Sequence, residues 1–273
     1  MTLGSPPILR CPDCFAEAGL LGAVFACPAC DRSFGPQAGL WDLRPSQLSP
    51  AKRNEDAAHH GDRTATWRRL ILHKRDRIEA CDTQWLPELL SDRTRRFLEV
   101  GGGLCYASAL AKARAPDAHV TASDLSPKYV IRHAMAVGSM LGAMPNAYVA
   151  ADVERLPFID AQFDAVFSQM TLYRVPAPSE ALREIRRVLA PGGCYLGIER
   201  ATPWAWSREA SVMRARAEPL GILERPYTLH AWRAMARGIA RADLTPGRRL
   251  RHRRARQWLN AVRPMHVALR IAC

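Results

Sequence analysis

Lysine is scarce in this chain, although the chain as a whole is strongly basic. Four of the 39 basic residues are lysine, and the formal net charge is +13. Fifteen arginines and four acidic residues lie between Ala201 and Cys273, so this segment alone carries a charge of +11. Such a segment is a candidate surface for nucleic acid. The chain is also rich in alanine and proline, as a GC-rich genome would produce, so composition is the favoured explanation of the arginines.

Long apolar runs are absent as well. No 18 consecutive residues are apolar, which argues against a transmembrane helix. The opening MTLGSPPILR does not have the basic-then-apolar order of a secretory leader. We therefore expect a soluble, cytoplasmic protein with no membrane partner. Apolar residues still make up 48% of the chain. This is enough for one α/β domain of about 200 residues and a small additional module.

The cysteine content does not suggest a disulfide scaffold, because eight cysteines are few for 273 residues. Four of them form the pattern CxxC-x12-CxxC, namely Cys11, Cys14, Cys27 and Cys30. Each CxxC turn can direct two thiolates to one ion, and four thiolates make a closed structural zinc site. Metal binding would supply folding free energy that 45 residues cannot easily obtain from a core. Rubredoxin-like iron and ordinary buried or redox cysteines are the alternatives. A closed site has no open coordination position, so we assign it no catalysis.

The chain divides into three segments by composition. We predict a zinc ribbon in residues 1–45, a helical linker that caps the binding pocket in residues 46–93, and an α/β domain in residues 94–273. In the last segment, strands and helices alternate, which is typical of a doubly wound, mostly parallel sheet. The predicted strands are RFLEV, AHVTASD, AYVAAD, FDAVFSQ and CYLGIE, followed by a closing pair, RRLRHRRARQW and MHVALRIAC.

The predicted helices have recognisable ends. One begins near Tyr106. The next has Ser126 as its N-cap and Pro127 in its first position. The helix SEALREIRRVLAPGG has Ser179 as its cap and ends at Gly192.

Three consecutive glycines, Gly101 to Gly103, follow the first strand of the α/β domain. Glycines between a strand and a helix let backbone N–H groups approach a ligand. Two familiar nucleotide loops do not fit: Tyr106 occupies the third glycine position of GxGxxG, and GxxxxGK[ST] is absent. Asp124 ends the second strand, where a carboxylate can accept hydrogen bonds from both ribose hydroxyls. Asp152 ends the third strand. Taken singly, each acid is also readable as a helix cap or a turn residue.

The combined pattern points to a family. Glu99-x-Gly101-x-Gly103, Asp124, ADVERLPF, FDAVFS and REIRRVLAPGG, in this order and spacing, resemble the class I S-adenosylmethionine-dependent methyltransferases, type 11-like. The resemblance extends closely from Thr94 to Arg200. It implies a Rossmann-like, seven-stranded sheet and S-adenosylmethionine as the cofactor. The cofactor-binding residues that it implies are Glu99, Gly101, Gly103, Asp124, Leu125, Asp152, Val153 and Gln169.

The resemblance also implies individual roles. Glu99 would interact with the amino group of the cofactor, directly or through water, and Asp124 would hold the ribose. Asp152 would accept from the adenine amino group, with Val153 beside the ring. Cys105 stands where the family often has a third glycine. The segment from CPDC to DLRP resembles the zinc ribbons that precede some methyltransferases, the small zinc-ribbon activators of methyltransferases and the finger of bacterial ribosomal-RNA guanine methyltransferases.

Catalytic residues in this fold usually follow the fourth and fifth strands or lie on the covering N-terminal segment. The candidates are His59, His60, Gln169, Thr171, Tyr173, Glu199 and Arg200. Histidine suits a general base near neutral pH, but an exposed linker histidine is the plain alternative. Trp204, Trp206 and Trp232 are candidates for an apolar lid or for core residues.

Three functions remain open from the sequence. The favoured one is methylation of an oxygen or nitrogen atom on a small molecule or biosynthetic intermediate. The second is methylation of a ribosomal-RNA base, with the ribbon as the RNA-binding module. The third is a catalytically silent zinc-ribbon partner protein. Only 7% of the residues are aromatic, and the ribbon has no basic-aromatic stretch on which bases would stack, which favours the first function over RNA.

Overall fold

The structure of the protein is a computed structural model that describes residues 9–21, 24–58, 67–237, 242–246 and 266–271. The first part of it is a small antiparallel sheet. Its four strands pair in sequence order: β1 (Leu9–Arg10), β2 (Glu17–Leu21), β3 (Val24–Ala26) and β4 (Ser33–Phe34). One CxxC turn connects β1 to β2, and the other connects β3 to β4.

The next segment leaves this small sheet. It contains two short paired strands and three helices: β5 (Pro36–Gln37), β6 (Leu40–Asp42), α1 (Pro50–Ala58), α2 (Trp67–Ala80) and α3 (Leu86–Leu89). A π-helical segment joins α2 to α3, so the two helices form one helical stretch. His59 and His60 lie outside the described residues.

Strands and helices then alternate, as the sequence predicted. The elements are β7 (Arg96–Val100), α4 (Tyr106–Arg114), β8 (His119–Asp124), α5 (Pro127–Tyr129), α6 (Met135–Met140), β9 (Ala147–Ala150), β10 (Phe163–Gln169), α7 (Pro178–Val188) and β11 (Leu189–Arg200). A π-helical segment connects α5 to α6. The remaining described elements are α8 (Arg208–Ala217), α9 (Leu229–Arg237), β12 (Ala242–Pro246) and β13 (His266–Ile271).

These strands form one large sheet, in the order β12-β13-β11-β10-β7-β8-β9-β6-β5. All neighbours from β11 to β6 are parallel, and β13 is antiparallel to both β11 and β12. The doubly wound, mostly parallel sheet is confirmed with its seven strands, and β6 and β5 extend it to nine. Without β6, β9 would be an exposed edge with unpaired backbone groups.

Two details of the predicted elements need correction. Helix α7 begins at Pro178 with no side-chain cap, so Ser179 is not its N-cap, and it ends at Val188 rather than at Gly192. The APGG stretch is instead an irregularity in β11, where the pairing with β10 shifts register. The first strand of the closing pair is β12, and RRLRHRRARQW lies outside the described residues.

The core lies on both faces of the large sheet. On one face, α3 and α4 pack against β7 and β8 through apolar side chains that include Leu86 and Phe97. The cluster on the other face contains Phe25 and Phe34 of the small sheet together with Val149 and Phe158. The ribbon is therefore continuous with the core of the α/β domain and does not form a core of its own.

Trp232 belongs to this core. It is fully buried, and its indole N–H donates to the carbonyl oxygen of Arg200 at 2.8 Å. Trp204 and Trp206 are exposed, so the three tryptophans do not form a single lid.

Candidate functional site

A cavity of about 310 Å³ lies at the carboxyl ends of β7, β8, β9 and β10. This is where open α/β sheets bind their ligands, and its volume is that of a small-molecule site. The structure brings all eight predicted cofactor residues into its wall: Glu99, Gly101, Gly103, Asp124, Leu125, Asp152, Val153 and Gln169.

The backbone geometry of the glycine loop and its contact with a neighbouring side chain require glycine there. Gly101 and Gly103 have left-handed φ angles of 61° and 57°, which side chains resist. A Cβ atom on Gly101 would lie 2.1 Å from Cγ2 of Thr171. Thr171 in turn donates its hydroxyl to the carbonyl oxygen of Gly101 at 3.1 Å. The loop therefore rests directly on the segment that follows β10.

Cys105 occupies the position where the family often has a third glycine. It is the N-cap of α4 and has a left-handed φ of 50°. A third glycine would relieve this conformation, which costs other residues about 1–2 kcal/mol. The thiol is buried, so part of that cost is offset by the apolar surface it covers.

Asp124 is fixed by two backbone groups. One carboxylate oxygen accepts from N–H of Gly103 at 2.8 Å, and the other accepts from N–H of Ser126 at 2.9 Å. A carboxylate has about four acceptor positions, so both oxygens retain lone pairs for a ligand. The contact with Gly103 also couples the end of β8 to the glycine loop.

Glu99 faces the first turn of α4. Its carboxylate accepts from N–H and the hydroxyl of Ser108 at 2.7 and 2.6 Å. Burial raises the pKa of Glu99 to about 7, although the two Ser108 hydrogen bonds oppose this shift. Glu99 thus fastens the helix behind the glycine loop while it also lines the cavity.

Lys52 of α1 is a site residue that the sequence did not reveal. Its ammonium pairs with the carboxylates of both Asp152 and Glu154, and all three side chains are largely buried. Asp152 also accepts from N–H of Glu154 at 3.0 Å. The buried acid at the end of β9 therefore has a counter-ion supplied by a helix more than 90 residues earlier in the chain.

Lys74 and Arg77 project from one face of α2 into the cavity wall. Among the described residues, neither forms an ion pair with a carboxylate. Burial, followed by the nearby charge of Arg77, lowers the pKa of Lys74, while Asp124 and Glu99 oppose the shift. The spacing of three residues along a helix was the sequence signal for a shared face. The sequence predicted that the linker caps the pocket but did not single out these two cations.

The segment after β10 forms another part of the cavity wall, in contact with the glycine loop. Gln169 accepts from the hydroxyl of Tyr106, and Tyr173 accepts from Nε of Arg174 at 3.0 Å. The guanidinium of Arg174 also pairs with Glu55 and Glu224. Gln169, Thr171 and Tyr173 line the cavity, whereas Arg200 is outside this wall and lies 6.0 Å from the ring of Tyr173.

Glu199 is placed differently from a catalytic group. It is completely buried beneath the wall segment and does not line the cavity. Its carboxylate accepts from the N–H groups of Thr171, Leu172 and Tyr173 at 3.0–3.3 Å. This corrects its candidate role, because its contacts hold the segment that carries Tyr173 and none reaches the cavity. Burial raises its pKa to about 7.

The four cysteines of the ribbon are close together. Their Sγ atoms all lie within 4.8 Å of one another, with Cys11–Cys30 at 3.5 Å and Cys14–Cys27 at 3.4 Å. A tetrahedral zinc with Zn–S bonds of about 2.3 Å requires sulfur separations of about 3.8 Å. The two turns also match each other, since Phe15 and Asp31, one residue after each CxxC, have left-handed φ angles of 64° and 57°. The donor set and its geometry fit one tetrahedral ion.

Residues 98–196 match the family model described as a methyltransferase domain. The chain thus carries a methyltransferase domain in this segment. It is 33% identical over 159 residues to malonyl-[acyl-carrier protein] O-methyltransferase of Dechloromonas aromatica, covering 58% of this chain and 52% of that protein. It is 33% identical over 114 residues to the ubiquinone/menaquinone biosynthesis C-methyltransferase UbiE of Rubrivivax gelatinosus, covering 42% of this chain and 43% of that protein. The chain spans about half the length of these curated relatives.

Solved structures agree on the fold. Phosphoethanolamine N-methyltransferase 2 of Haemonchus contortus, in complex with S-adenosyl-L-methionine, superposes with a TM-score of 0.58 at 14% identity, covering 84% of this chain and 61% of that chain. A chain from the complex between the Haloferax volcanii Trm112 methyltransferase activator and a protein described as a methyltransferase superposes with a TM-score of 0.55 at 16% identity, covering 83% of this chain and 99% of that chain. Within the described residues, no helix has the length and apolar character needed to cross a membrane.

Proposed function

We propose that this protein transfers the methyl group of S-adenosylmethionine to a small molecule or biosynthetic intermediate. The observation that carries the proposal is the cavity at the carboxyl ends of the parallel strands, whose wall holds the glycine loop, Asp124 and Asp152 together. The match of residues 98–196 to the methyltransferase domain supports the same cofactor.

The adenosine half of the cofactor would lie along the ends of β8 and β9. Asp124 accepts hydrogen bonds from the ribose hydroxyls through the lone pairs that Gly103 and Ser126 leave free. Asp152 accepts from the adenine amino group, with Leu125 and Val153 beside the ring. These residues bind and orient, because the reactivity resides in the cofactor.

Lys74 and Arg77 would hold the carboxylate of the methionine half. They are two cations in a cavity wall, without carboxylate partners among the described residues, and a carboxylate is the one anionic group of the cofactor. Glu99 lies in the same wall and provides the opposite charge for the amino group. With its carboxylate and amino group held in this way, the cofactor would have its sulfonium near Gln169 and Thr171.

When bound, S-adenosylmethionine supplies a methyl group that is already activated for transfer. The protein then has to place the acceptor in line with that methyl and exclude water. The acceptor would enter past Tyr173, Arg174 and Pro176, which also line the cavity. No described histidine lines the cavity, so His59 and His60 remain predictions.

The relatives support the small-molecule class of acceptor. Their names assign one to malonyl-[acyl-carrier protein] and others to ubiquinone and menaquinone biosynthesis, and neither name refers to RNA. The acceptor atom is oxygen in the first group and carbon in the second, so both are open for this chain in addition to nitrogen.

We assign the ribbon a structural zinc ion held by Cys11, Cys14, Cys27 and Cys30. All four ligand positions of a tetrahedral ion are then filled by thiolates, which leaves no position for a substrate. The ion stabilises the fold and takes no part in methyl transfer.

Binding of S-adenosylhomocysteine, measured by calorimetry on the full chain, tests the cofactor site. Asp124→Ala should abolish binding while the circular dichroism spectrum stays unchanged. Lys74→Met should weaken S-adenosylhomocysteine about tenfold, as loss of a charged hydrogen bond does, but should leave methylthioadenosine unaffected because that ligand has no carboxylate. Undiminished binding by Asp124→Ala would refute the site.

Transfer from radiolabelled S-adenosylmethionine into fractions of a cell extract tests the acceptor class. Label in the acid-soluble fraction supports the proposal. Label that precipitates with acid and disappears with ribonuclease would overturn it in favour of an RNA acceptor. If the protein binds neither the cofactor nor its product, the result would favour the silent-partner function instead.

A further inference from the structure

The loop that follows β9 forms the adenine-side wall of the cavity, residues 151–155. Ala151, Asp152 and Val153 line the cavity, and the loop contains no helix or strand. Inside the loop, Arg155 N–H donates to the carbonyl oxygen of Asp152 at 2.9 Å. A wall of this kind depends on what holds it from outside.

The ribbon supplies part of that support, in addition to α1. The N–H of Arg10 donates to the carbonyl oxygen of Pro157 at 3.1 Å, and Leu9 forms an isolated antiparallel bridge with Phe158. Both contacts join β1 to the residues that directly follow the adenine-side wall in the chain.

Arg155 makes the contact closest to the cavity. Its guanidinium carbon lies 4.1 Å from the centroid of the Phe15 ring, and its Nη2 atom donates to the carbonyl oxygen of Asp13. A cation over an aromatic face and a charged hydrogen bond are both favourable and both depend on geometry. Arg155 is two residues from Val153, so the side chain that faces the ribbon and the side chain that faces the ligand share one short loop.

Both partners of Arg155 belong to the first CxxC turn. Asp13 lies between Cys11 and Cys14, and Phe15 follows Cys14. Phe15 is in the left-handed region, where its N–H donates to the carbonyl oxygen of Cys11 at 2.9 Å. Such a conformation persists only where its surroundings impose it, and two metal–thiolate bonds in the same turn would impose it.

We infer that the first metal-binding turn of the ribbon, residues 11–16, positions the adenine-side wall of the cofactor pocket, with Arg155 as the positioning residue. The inference rests on the proposed cofactor site. The ribbon would then set how tightly the adenosine half is bound, in addition to stabilising the fold. Arg155 does not touch the cofactor and acts through Asp152 and Val153.

The test compares three variants of the full zinc-loaded chain. Arg155→Met removes the charge and the donors but keeps much of the length, and Arg155→Lys restores the charge. Arg186→Met is the matched control, because Arg186 is exposed on α7. Calorimetry gives the affinities for S-adenosylhomocysteine and methylthioadenosine. Arg155→Met should weaken both ligands by the same factor of about ten, Arg155→Lys should recover part of the loss, and Arg186→Met should change neither.

The comparison of the two ligands separates this effect from a general loss of structure at the methionine end, which would weaken S-adenosylhomocysteine alone. Zinc removal adds a second arm. If the turn acts through Arg155, chelation should weaken methylthioadenosine in the wild type but add little in Arg155→Met, since the two changes then break the same link.

Unchanged methylthioadenosine affinity in Arg155→Met, or equal weakening by chelation in both backgrounds, would overturn the inference. If chelation unfolds the chain, the affinities of the zinc-loaded Met and Lys variants decide the matter alone. A wild type that binds neither ligand counts against the proposed function instead, so the two failures are distinguishable.

Discussion

Gly101 and Thr171 show how strictly single residues shape the pocket. The left-handed φ of Gly101 and its contact with Thr171 make two separate demands for the absence of a side chain. One is a backbone preference and the other is a steric clash. Gly192 allows the two demands to be measured separately. It also has a left-handed φ, 77°, but has open space where a Cβ would lie, so it shows the backbone preference without the clash.

Gly101→Ala should therefore cost more than Gly192→Ala. The control has the conformational cost alone, about 1–2 kcal/mol of unfolding free energy, and should bind S-adenosylhomocysteine normally. Gly101→Ala also displaces Thr171 or the loop, so we expect a loss of several kcal/mol and at least tenfold weaker binding. Urea unfolding and calorimetry measure the two effects. Equal costs in both variants would show that the contact with Thr171 yields easily.

Glu99 makes stability depend on pH. Its folded-state pKa, about 7, is raised from 4.5 by burial, so the folded state holds the proton more tightly than the unfolded state. The stabilising contribution is complete below about pH 4.5 and is lost as the pH rises to about 7. Glu199 shifts in the same direction for the same reason.

Glu99→Gln should remove part of this dependence. The amide is neutral at every pH and can still accept from Ser108. Relative to the wild type, the variant should gain about 1–3 kcal/mol of unfolding free energy between pH 5 and pH 8, as a shift of this size implies. Urea unfolding at several pH values provides the measurement. Parallel pH profiles for the two proteins would show that Glu99 titrates in the ordinary range.

At the scale of elements, α1 forms part of the cavity wall. Its side chains contact the end of β9, the wall segment and the chain after α8: Lys52 pairs with Asp152 and Glu154, Glu55 pairs with Arg174, and Asn54 donates to the carbonyl oxygen of Gly221 at 2.9 Å. No apolar residue of the helix is buried. These polar contacts therefore hold it in place, and a ligand that competes for them meets little apolar resistance.

Lys52→Gln tests that competition. The ammonium of Lys52 pairs with Asp152, the group proposed to accept from the adenine amino group. Removal of the ammonium should therefore strengthen methylthioadenosine binding severalfold. The same change leaves two buried carboxylates without a counter-ion and should lower the unfolding free energy by about 3 kcal/mol. Lys128→Gln is the control, because Lys128 is exposed. Weaker binding by Lys52→Gln would mean that Lys52 supports the ligand rather than competing with it.

At the scale of the whole molecule, the ribbon and the sheet share one core. Leu9, Phe25 and Phe34 belong to the same apolar cluster as Val149 and Phe158, and β6 pairs with β9 through Trp41 opposite Val149. The ribbon sheet ends at Phe34, and β5 and β6 belong to the large sheet, although the segment boundary near residue 45 remains a prediction.

Loss of the metal should therefore affect the whole chain. Cys11→Ser, or chelation of the wild type, should lower the temperature of a single cooperative unfolding transition, since shared cores unfold together. Scanning calorimetry distinguishes this from two independent modules. Those would show a separate early transition for the ribbon and an unchanged transition for the methyltransferase domain.

Whether a sequence prediction agrees with the structure depends on how far apart in the chain the residues lie that decide the feature. The strands, the glycine loop and the carboxylates Asp124 and Asp152 are local features, since they depend on periodicity and on the ends of elements. The end of α7 was placed four residues too late because Gly192 resembles a helix stop, whereas the bulged pairing of β11 with β10 takes over at Leu189. The role of Glu199 was misjudged because only its partners show which way it faces.

The amino-acid sequence by itself determined the alternating α/β fold, the glycine loop with the carboxylates at the strand ends and the four-cysteine pattern, because each follows from spacing along the chain. Tertiary structure alone decided which cations enter the pocket, that Arg155 meets the turn of Asp13 and Phe15, and that β6 joins the large sheet. These are contacts between residues 100 or more positions apart, or between elements of two predicted segments. Local spacing carries no information about such pairs, since they depend on how the packed elements are finally arranged.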